Sequence, residues 1–384
     1  MDLPASADIV IIGGGVMGAS AAYHLAARGV RNIILLEKEK FFGQGATGRC
    51  AGGVRYQFAT EINIRLSLAS LPMLERFKDE IGEEINYRHC GYLFVLTDEM
   101  DVAAFKKSSE VQHKLGIRTE WLTKDDIGKR LPLMRFDDAL AGTFHDKDGI
   151  VDPNSVVMGY IKAAVKLGAD VFNNVEVTGI KLRDSKVESL ETNHGSIETR
   201  QILNAAGPWS AQIGQMVGLQ IPIRPIRRQM FTTTPLTGLP TDFPFVIDFS
   251  QSLYFHRDGG GLLIGMSNPN EQPGLDQSVD KEFELVNLTA AISRMPVIEK
   301  AGMVSSWAGL YEVTPDAHPI YGGTAIDGFY LMAGFSGHGF MHGPISGKLM
   351  AEFILDGRFS SVDVSMLDLE RFKEGRLIKE FNVV

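Results

Sequence analysis

The sequence predicts a chain of mixed α/β and α+β class, built from a discontinuous βαβ domain and an inserted domain with a mixed or antiparallel β-sheet. Three observations predict it. Residues 8–12 are a short apolar run that meets the glycine-rich stretch GGGVMG and then a helical pattern, Val16 to Arg28, before a second apolar run, RNIILLE. The middle of the chain is rich in short β-like runs (GYLFVL, QMFTTT, SLYFH, GLLIGM) broken by Pro, Gly and Asp. Helix-and-strand patterns return twice, at VDPNSVVMGYIKAAVKLGADVFNNVEVTGI and at GFYLMAGFSGHGFMHGPISGKLMAEFILDG.

Each element has a local cause. Gly29 closes the first helix, and the run after it is apolar throughout, as a strand covered on both faces must be. Gly168 stands near the end of the second helical segment, with a strand beyond it. In the third return Pro344 is placed to begin a helix after a glycine-rich loop. The expected division is residues 1–86, 145–220 and 307–384 for the βαβ domain, with 87–144 and 221–306 for the inserted one.

Composition bounds what such a chain can do. At 384 residues it is long enough for two cores, and 44% hydrophobic with 22% charged residues is globular. A net charge of −9 argues against nucleic acid, which needs a basic face. Cys50 and Cys90 build no disulfide framework and no zinc spacing, so a reducing cytoplasm is the expectation. The apolar stretch from Ile9 to Ala27 is broken by glycines and lacks a basic flank, so neither a membrane span nor a targeting segment is read there.

The chemistry starts at Gly13-x-Gly15-x-x-Gly18, between a strand and a helix. The first glycine makes the turn, the second lets a pyrophosphate approach the backbone, and the third packs helix on strand. Glu37 ends the next strand, nineteen residues past Gly18, where a carboxylate accepts from ribose hydroxyls and repels a 2′-phosphate. This is a Rossmann-like unit. GFSGHGF adds a second glycine-rich loop at a helix start, and a second set of backbone donors suits FAD, whose reduced ring gathers charge at N1 and O2. His338 and His342 stand four apart but without the glutamate of a zinc helix, so no metal is expected. Cys50 reads as a small buried group rather than a reactive thiol.

Together with GATGRCAGGVRYQF, NVEVTGI, ILNAAGPWS and SSWAGLYEVTPDAHPIYG, these motifs resemble the D-amino-acid oxidase superfamily of FAD enzymes, on its sarcosine oxidase β-subunit and L-proline dehydrogenase β-subunit branch. The resemblance runs over nearly the whole chain. It implies an FAD-binding domain of the glutathione-reductase type and an inserted substrate domain. It implies that Gly45, Ala46, Thr47, Gly48 and Arg49, with Cys50, run beside the pyrophosphate and ring, and that Val177 holds the adenine. Ala205, Ala206, Gly207 and Trp209 line the cofactor, and Gly337, His338, Gly339 and Phe340 lie under the ring's N1–O2 edge. Val16, Met17, Lys38, Gly309 and Met341 complete the expected contacts.

The implied reaction is oxidation of the C–N bond of a small amino acid or secondary amine, such as sarcosine or L-proline, by hydride transfer from the α-carbon to flavin N5, giving an imine. Arg49 and Arg55 are the expected carboxylate cations, and Tyr254, Tyr311 and His338 the other candidates at the reacting centre. Gly309 replaces the cysteine that carries FAD covalently in some relatives, and Pro153 replaces a histidine that carries FMN, so FAD is expected to be noncovalent. Leu263 and Met341 stand where monomeric oxidases have lysines, which favours a dye, quinone or partner subunit over O2 as acceptor; Arg228 or Arg257 could fill the same space. A 2-hydroxy acid dehydrogenase, or an FAD-bearing subunit of a homo- or hetero-oligomer that needs partner chains, is the alternative.

Overall fold

A computed structural model describes residues 2–383. Its organising element is a six-stranded sheet in the order Ile320–Gly323, Phe329–Ala333, Ile202–Asn204, Ile9–Ile12, Ile33–Leu36, Asp170–Phe172. All neighbours are parallel except the first pair. The two central strands, IVII and IILL, are buried along their whole length, because helices cover both faces of a parallel sheet. Register pairs Ile12 with both Leu36 and Asn204, so the carboxyl ends of these strands share one edge. In open α/β sheets that edge is where ligands bind.

Helix Val16–Ala27 packs against Gly339–Asp356 and Pro153–Lys166. The first contact is close because of Gly343 and Gly347: a Cβ on Gly343 would meet Val16 Cγ2 at 2.5 Å, and one on Gly347 would meet Ser20 Oγ at 2.3 Å. Overpacking of this kind costs about 1–3 kcal/mol. The two glycine-rich loops are thereby brought to one edge of the sheet. Helix Gly339–Asp356 starts five residues earlier than Pro344 suggests, and Pro344 lies inside its first turns. Its carbonyl accepts from Ser20 Oγ at 3.0 Å, which ties the proline to the neighbouring helix.

The inserted sheet has eight strands, in the order Met303–Val313, Arg224–Thr233, Gly261–Met266, Leu253–Asp258, Phe245–Asp248, Tyr92–Leu96, Ala141–His145, Glu120–Leu122. It is antiparallel except where Phe245–Asp248 runs parallel to Tyr92–Leu96. Strands Met303–Val313 and Ala141–His145 run through the 306/307 and 144/145 boundaries drawn from the sequence, so those two boundaries cut single strands. The stretches read as β-rich also hold helices Glu99–Lys114 and Lys281–Arg294. Each is started by an aspartate, Asp98 or Asp280, whose side chain accepts from the first-turn N–H groups. No helix among the described residues is long and apolar enough to cross a membrane.

Candidate active site

A cleft of about 410 Å³ opens at the carboxyl edge of the six-stranded sheet. Its floor is built by the first turn. A Cβ on Gly18 would lie 1.9 Å from the Gly13 carbonyl oxygen, so the helix can approach the strand only with glycine there. Gly13, Gly15, Val16 and Met17 line the cleft, whereas Gly18 is spent on this packing. Helix Val16–Ala27 carries no side-chain cap, and the Thr47 hydroxyl accepts from Val16 N at 3.2 Å. Glu37 is buried, accepting from Gly14 N at 2.7 Å and Glu39 N at 2.8 Å. Burial pushes its carboxyl up, while the two N–H bonds pull it down.

Lys38, Gly45, Ala46, Thr47, Cys50, Val177, Ala205, Ala206, Gly207 and Trp209 continue the wall, with Lys38 Nζ 3.7 Å above the Trp209 ring. At the far end stand Gly337, Gly339 and Phe340, where helix Gly339–Asp356 begins, also without a side-chain cap. Two helix N-termini whose N-cap residues supply no side-chain cap and a buried carboxylate on one elongated cleft fit a dinucleotide whose ribose, pyrophosphate and ring need those donors and acceptors. Cys50 is pushed up to about 12 by burial, which keeps it a neutral thiol. Glu312, on the same cleft, is raised to about 7, again by burial, against hydrogen bonds from Gly334 N and Phe335 N.

A second, smaller cavity of about 90 Å³ adjoins the first, sharing Ala46, Cys50, Leu310, Tyr311, Gly337 and Phe340 with it. It collects Arg49, Arg55, Tyr254, Tyr311 and His338, all expected at the reacting centre, with Gly309 and Met341. The Gly337 backbone lies on the Tyr311 ring, since a Cβ there would reach Tyr311 Cε2 at 2.2 Å. His338 is buried, with Nε2 3.1 Å from the Ala317 carbonyl and 3.4 Å from Asn63 Nδ2, while Nδ1 has no partner among the described residues. Burial, with His342, Arg55 and His318 nearby, holds its pKa well below the ordinary value, and the ring is neutral.

The arginines depart from expectation. Arg49 donates from Nε to the Gln44 carbonyl at 3.2 Å and from Nη1 to the Ala308 carbonyl at 2.9 Å. Arg55 donates to the carbonyls of Gln57 at 2.5 Å and Asn382 at 2.6 Å, and its guanidinium lies 4.2 Å from the centre of the Phe58 ring. Both are therefore largely engaged by backbone. Arg228, 5.1 Å from the centre of the Tyr311 ring, gives only Nη1, to the Arg227 carbonyl at 3.1 Å. Its Nε is buried without a partner among the described residues, and no described carboxylate pairs with it. Strand alternation would place Arg228 and Met230 on one face, but sequence alone does not say which face meets the cavity. Tyr92, Phe245 and Val383 also line this cavity and carried no signal. Leu263 does not line it; it is packed in a buried apolar cluster with Tyr92, Phe94 and Met230. Arg257 donates to the Gly259 and Leu239 carbonyls instead.

Fold and site together define a dinucleotide-binding oxidoreductase with a small, largely apolar cavity beside its cofactor cleft. The chain belongs to the DAO family, FAD dependent oxidoreductase, whose profile matches residues 8–353. FAD is thus its cofactor, and it is an FAD-dependent enzyme. The structure superposes on the crystal structure of L-proline dehydrogenase from P. horikoshii with a TM-score of 0.91 and 33% identity, covering 98% of this chain and 100% of that one. Glycine oxidase from Geobacillus kaustophilus gives 0.86 and 25% identity, over 96% of this chain and 99% of that one. The mitochondrial sarcosine dehydrogenase of Mus musculus is 30% identical over 96% of this chain, which spans only 42% of the length of that protein.

Proposed function

We propose that this chain oxidises the C–N bond of a small α-amino acid or N-alkyl amino acid whose carboxylate is held by Arg228. The observation that carries the reading is Arg228, whose guanidinium gives Nη1 to a backbone carbonyl and has no carboxylate partner among the described residues, on a cavity joined to the FAD cleft. A planar fork of this kind matches a carboxylate bidentately. Sarcosine dehydrogenase, L-proline dehydrogenase and glycine oxidase are all named for amino acids, which supports the substrate class.

Bound noncovalently, FAD supplies the two-electron acceptor for the α-hydrogen. The chain's own residues do the positioning. Arg228 fixes the carboxylate, and the rings of Tyr254 and Tyr311 exclude water around the α-carbon. The neutral His338 accepts an amine N–H at Nδ1 without adding a positive charge beside the nitrogen. The amine must shed its ammonium proton before the α-hydrogen leaves, so reduction speeds up with pH. The product imine is then hydrolysed by water. The test is anaerobic mixing of the holoenzyme with panels of amino acids and of 2-hydroxy acids. Bleaching of the flavin by the first supports the reading; bleaching by the second alone replaces it.

A further inference from the structure

The smaller cavity has one wall from an unexpected part of the chain. Residues 380–383 run as an irregular strap across the substrate side, and Val383 lines the cavity. The strap is pinned by Glu380, which is buried and accepts from Ala59 N at 3.0 Å, Thr60 N at 3.0 Å, Thr60 Oγ1 at 2.8 Å and Asn63 Nδ2 at 3.1 Å. Those donors surround the N-terminus of helix Glu61–Glu75, whose N-cap Thr60 makes no side-chain cap of its own, so a carboxylate there also meets the positive end of the helix. Asn382 is fully buried and bridges two points of the site: its Nδ2 donates to the Gln57 carbonyl at 2.9 Å, and its own carbonyl takes Arg55 Nη2 at 2.6 Å. Phe381 between them is exposed.

We propose that the strap Glu380–Val383 sets the size of substrate this enzyme accepts, Val383 by closing the cavity and the Asn382 carbonyl by holding Arg55 away from the substrate. The inference rests on the amino acid reading above and deepens it: the preferred substrates carry no side chain, or no N-substituent, larger than a methyl group or small ring. A carbonyl, unlike a carboxylate, leaves the Arg55 charge unneutralised, so moving the strap would add an anion-binding group as well as space. The cavity of about 90 Å³ has little room until the strap shifts.

The experiment compares wild type with Val383→Gly and Glu380→Ala, both as FAD-loaded enzymes. One arm measures kcat/KM for sarcosine against N-benzylglycine. The other titrates acetate and benzoate, which are not oxidised, and reads their Kd from the change in flavin absorbance. Both variants are expected to shift the bulky-to-small ratio toward the bulky compound by roughly tenfold, the scale of one methylene or more in an apolar pocket. Unchanged ratios in variants that keep their flavin would overturn the proposal. If Glu380→Ala loses FAD, Val383→Gly decides alone, since its side chain makes no hydrogen bond. If no amine reduces wild-type flavin, the functional reading falls, while the benzoate-to-acetate ratio still judges the strap.

Discussion

Arg227 and Arg228 are neighbours on one strand with opposite electrostatic surroundings. Arg227 forms ion pairs with Glu271 at 3.0 Å, Asp276 at 3.2 Å and Asp280 at 3.7 Å, whereas Arg228, turned to the other face, forms no ion pair among the described residues and feels Glu271 only at longer range. Desolvation lowers the pKa of the Arg228 guanidinium, and a bound anion would offset that cost. Arg228→Leu is therefore expected to lower kcat/KM for an amino acid substrate roughly 100-fold, the worth of a charge-assisted bidentate contact. Arg227→Leu should leave KM alone and lower thermal stability. Equal losses of kcat/KM in the two variants would contradict the assignment.

Glu37 offers a sharp test of the cofactor cleft. Glu37→Arg exchanges a buried acceptor, held by Gly14 N and Glu39 N, for a cation that cannot receive those bonds or the ribose hydroxyls. The purified variant is expected to be colourless or nearly so, with the fold retained by circular dichroism. A fully flavinated variant would show that the ribose lies elsewhere.

The FAD is expected to leave the protein on acid precipitation and appear, yellow, in the supernatant. Gly309 offers no sulfur, and even a Cβ there would stand 3.0 Å from Arg49 Cβ. Cys50 lines the cleft, but burial disfavours its thiolate, the form that would attack a flavin. Flavin colour that stays in the denatured pellet would refute this.

Stability should fall with acid in a way these buried rings dictate. Burial pushes His24 and His256 down to about 4 and His342 to about 3. Unfolding returns each ring to an ordinary value of about 6.5, so the unfolded chain takes up protons that the folded chain refuses. Their contribution is complete above about pH 6.5 and is lost as the pH falls toward 4. Glu312 acts in the opposite sense: raised to about 7, it holds a proton in the folded state, and ionising it between the ordinary glutamate range and pH 7 costs stability. Urea unfolding across pH 4–7 should show a slope that His256→Gln makes shallower by up to about 1.4 kcal/mol per pH unit. A variant whose profile runs parallel to that of wild type would contradict this account.

What was legible in the sequence was local. Gly13, Gly15, Gly18 and Glu37 belong to one strand–turn–helix–strand unit, and their spacing carries the geometry without help from the rest of the chain. The second loop, GFSGHGF, was visible as glycines before a helix, but its meeting with the first depends on Gly343 and Gly347 letting two distant helices touch. The smaller cavity was only half legible. Tyr254 and Tyr311 came from resemblance, whereas the run RPIRRQM gives no means of telling which arginine finds Glu271, Asp276 and Asp280 and which is left for a ligand. Arg55 lines the cavity as expected, but its hydrogen bonds to backbone carbonyls, one of them on Asn382, were announced by no motif. Leu263 was expected at the reacting centre by alignment, but packing places it in an apolar cluster.

The central claim, that the α-hydrogen of an amino acid bound at Arg228 is passed to FAD, is tested most directly by stopped-flow reduction of the anaerobic holoenzyme. Sarcosine or L-proline, unlabelled and deuterated at the α-carbon, would be mixed with wild type and flavin absorbance followed. The account predicts full bleaching, faster at higher pH, with the deuterated substrate clearly slower because the Cα–H bond breaks in the observed step. A flavin that stays oxidised with every amino acid but is reduced by a 2-hydroxy acid would contradict it.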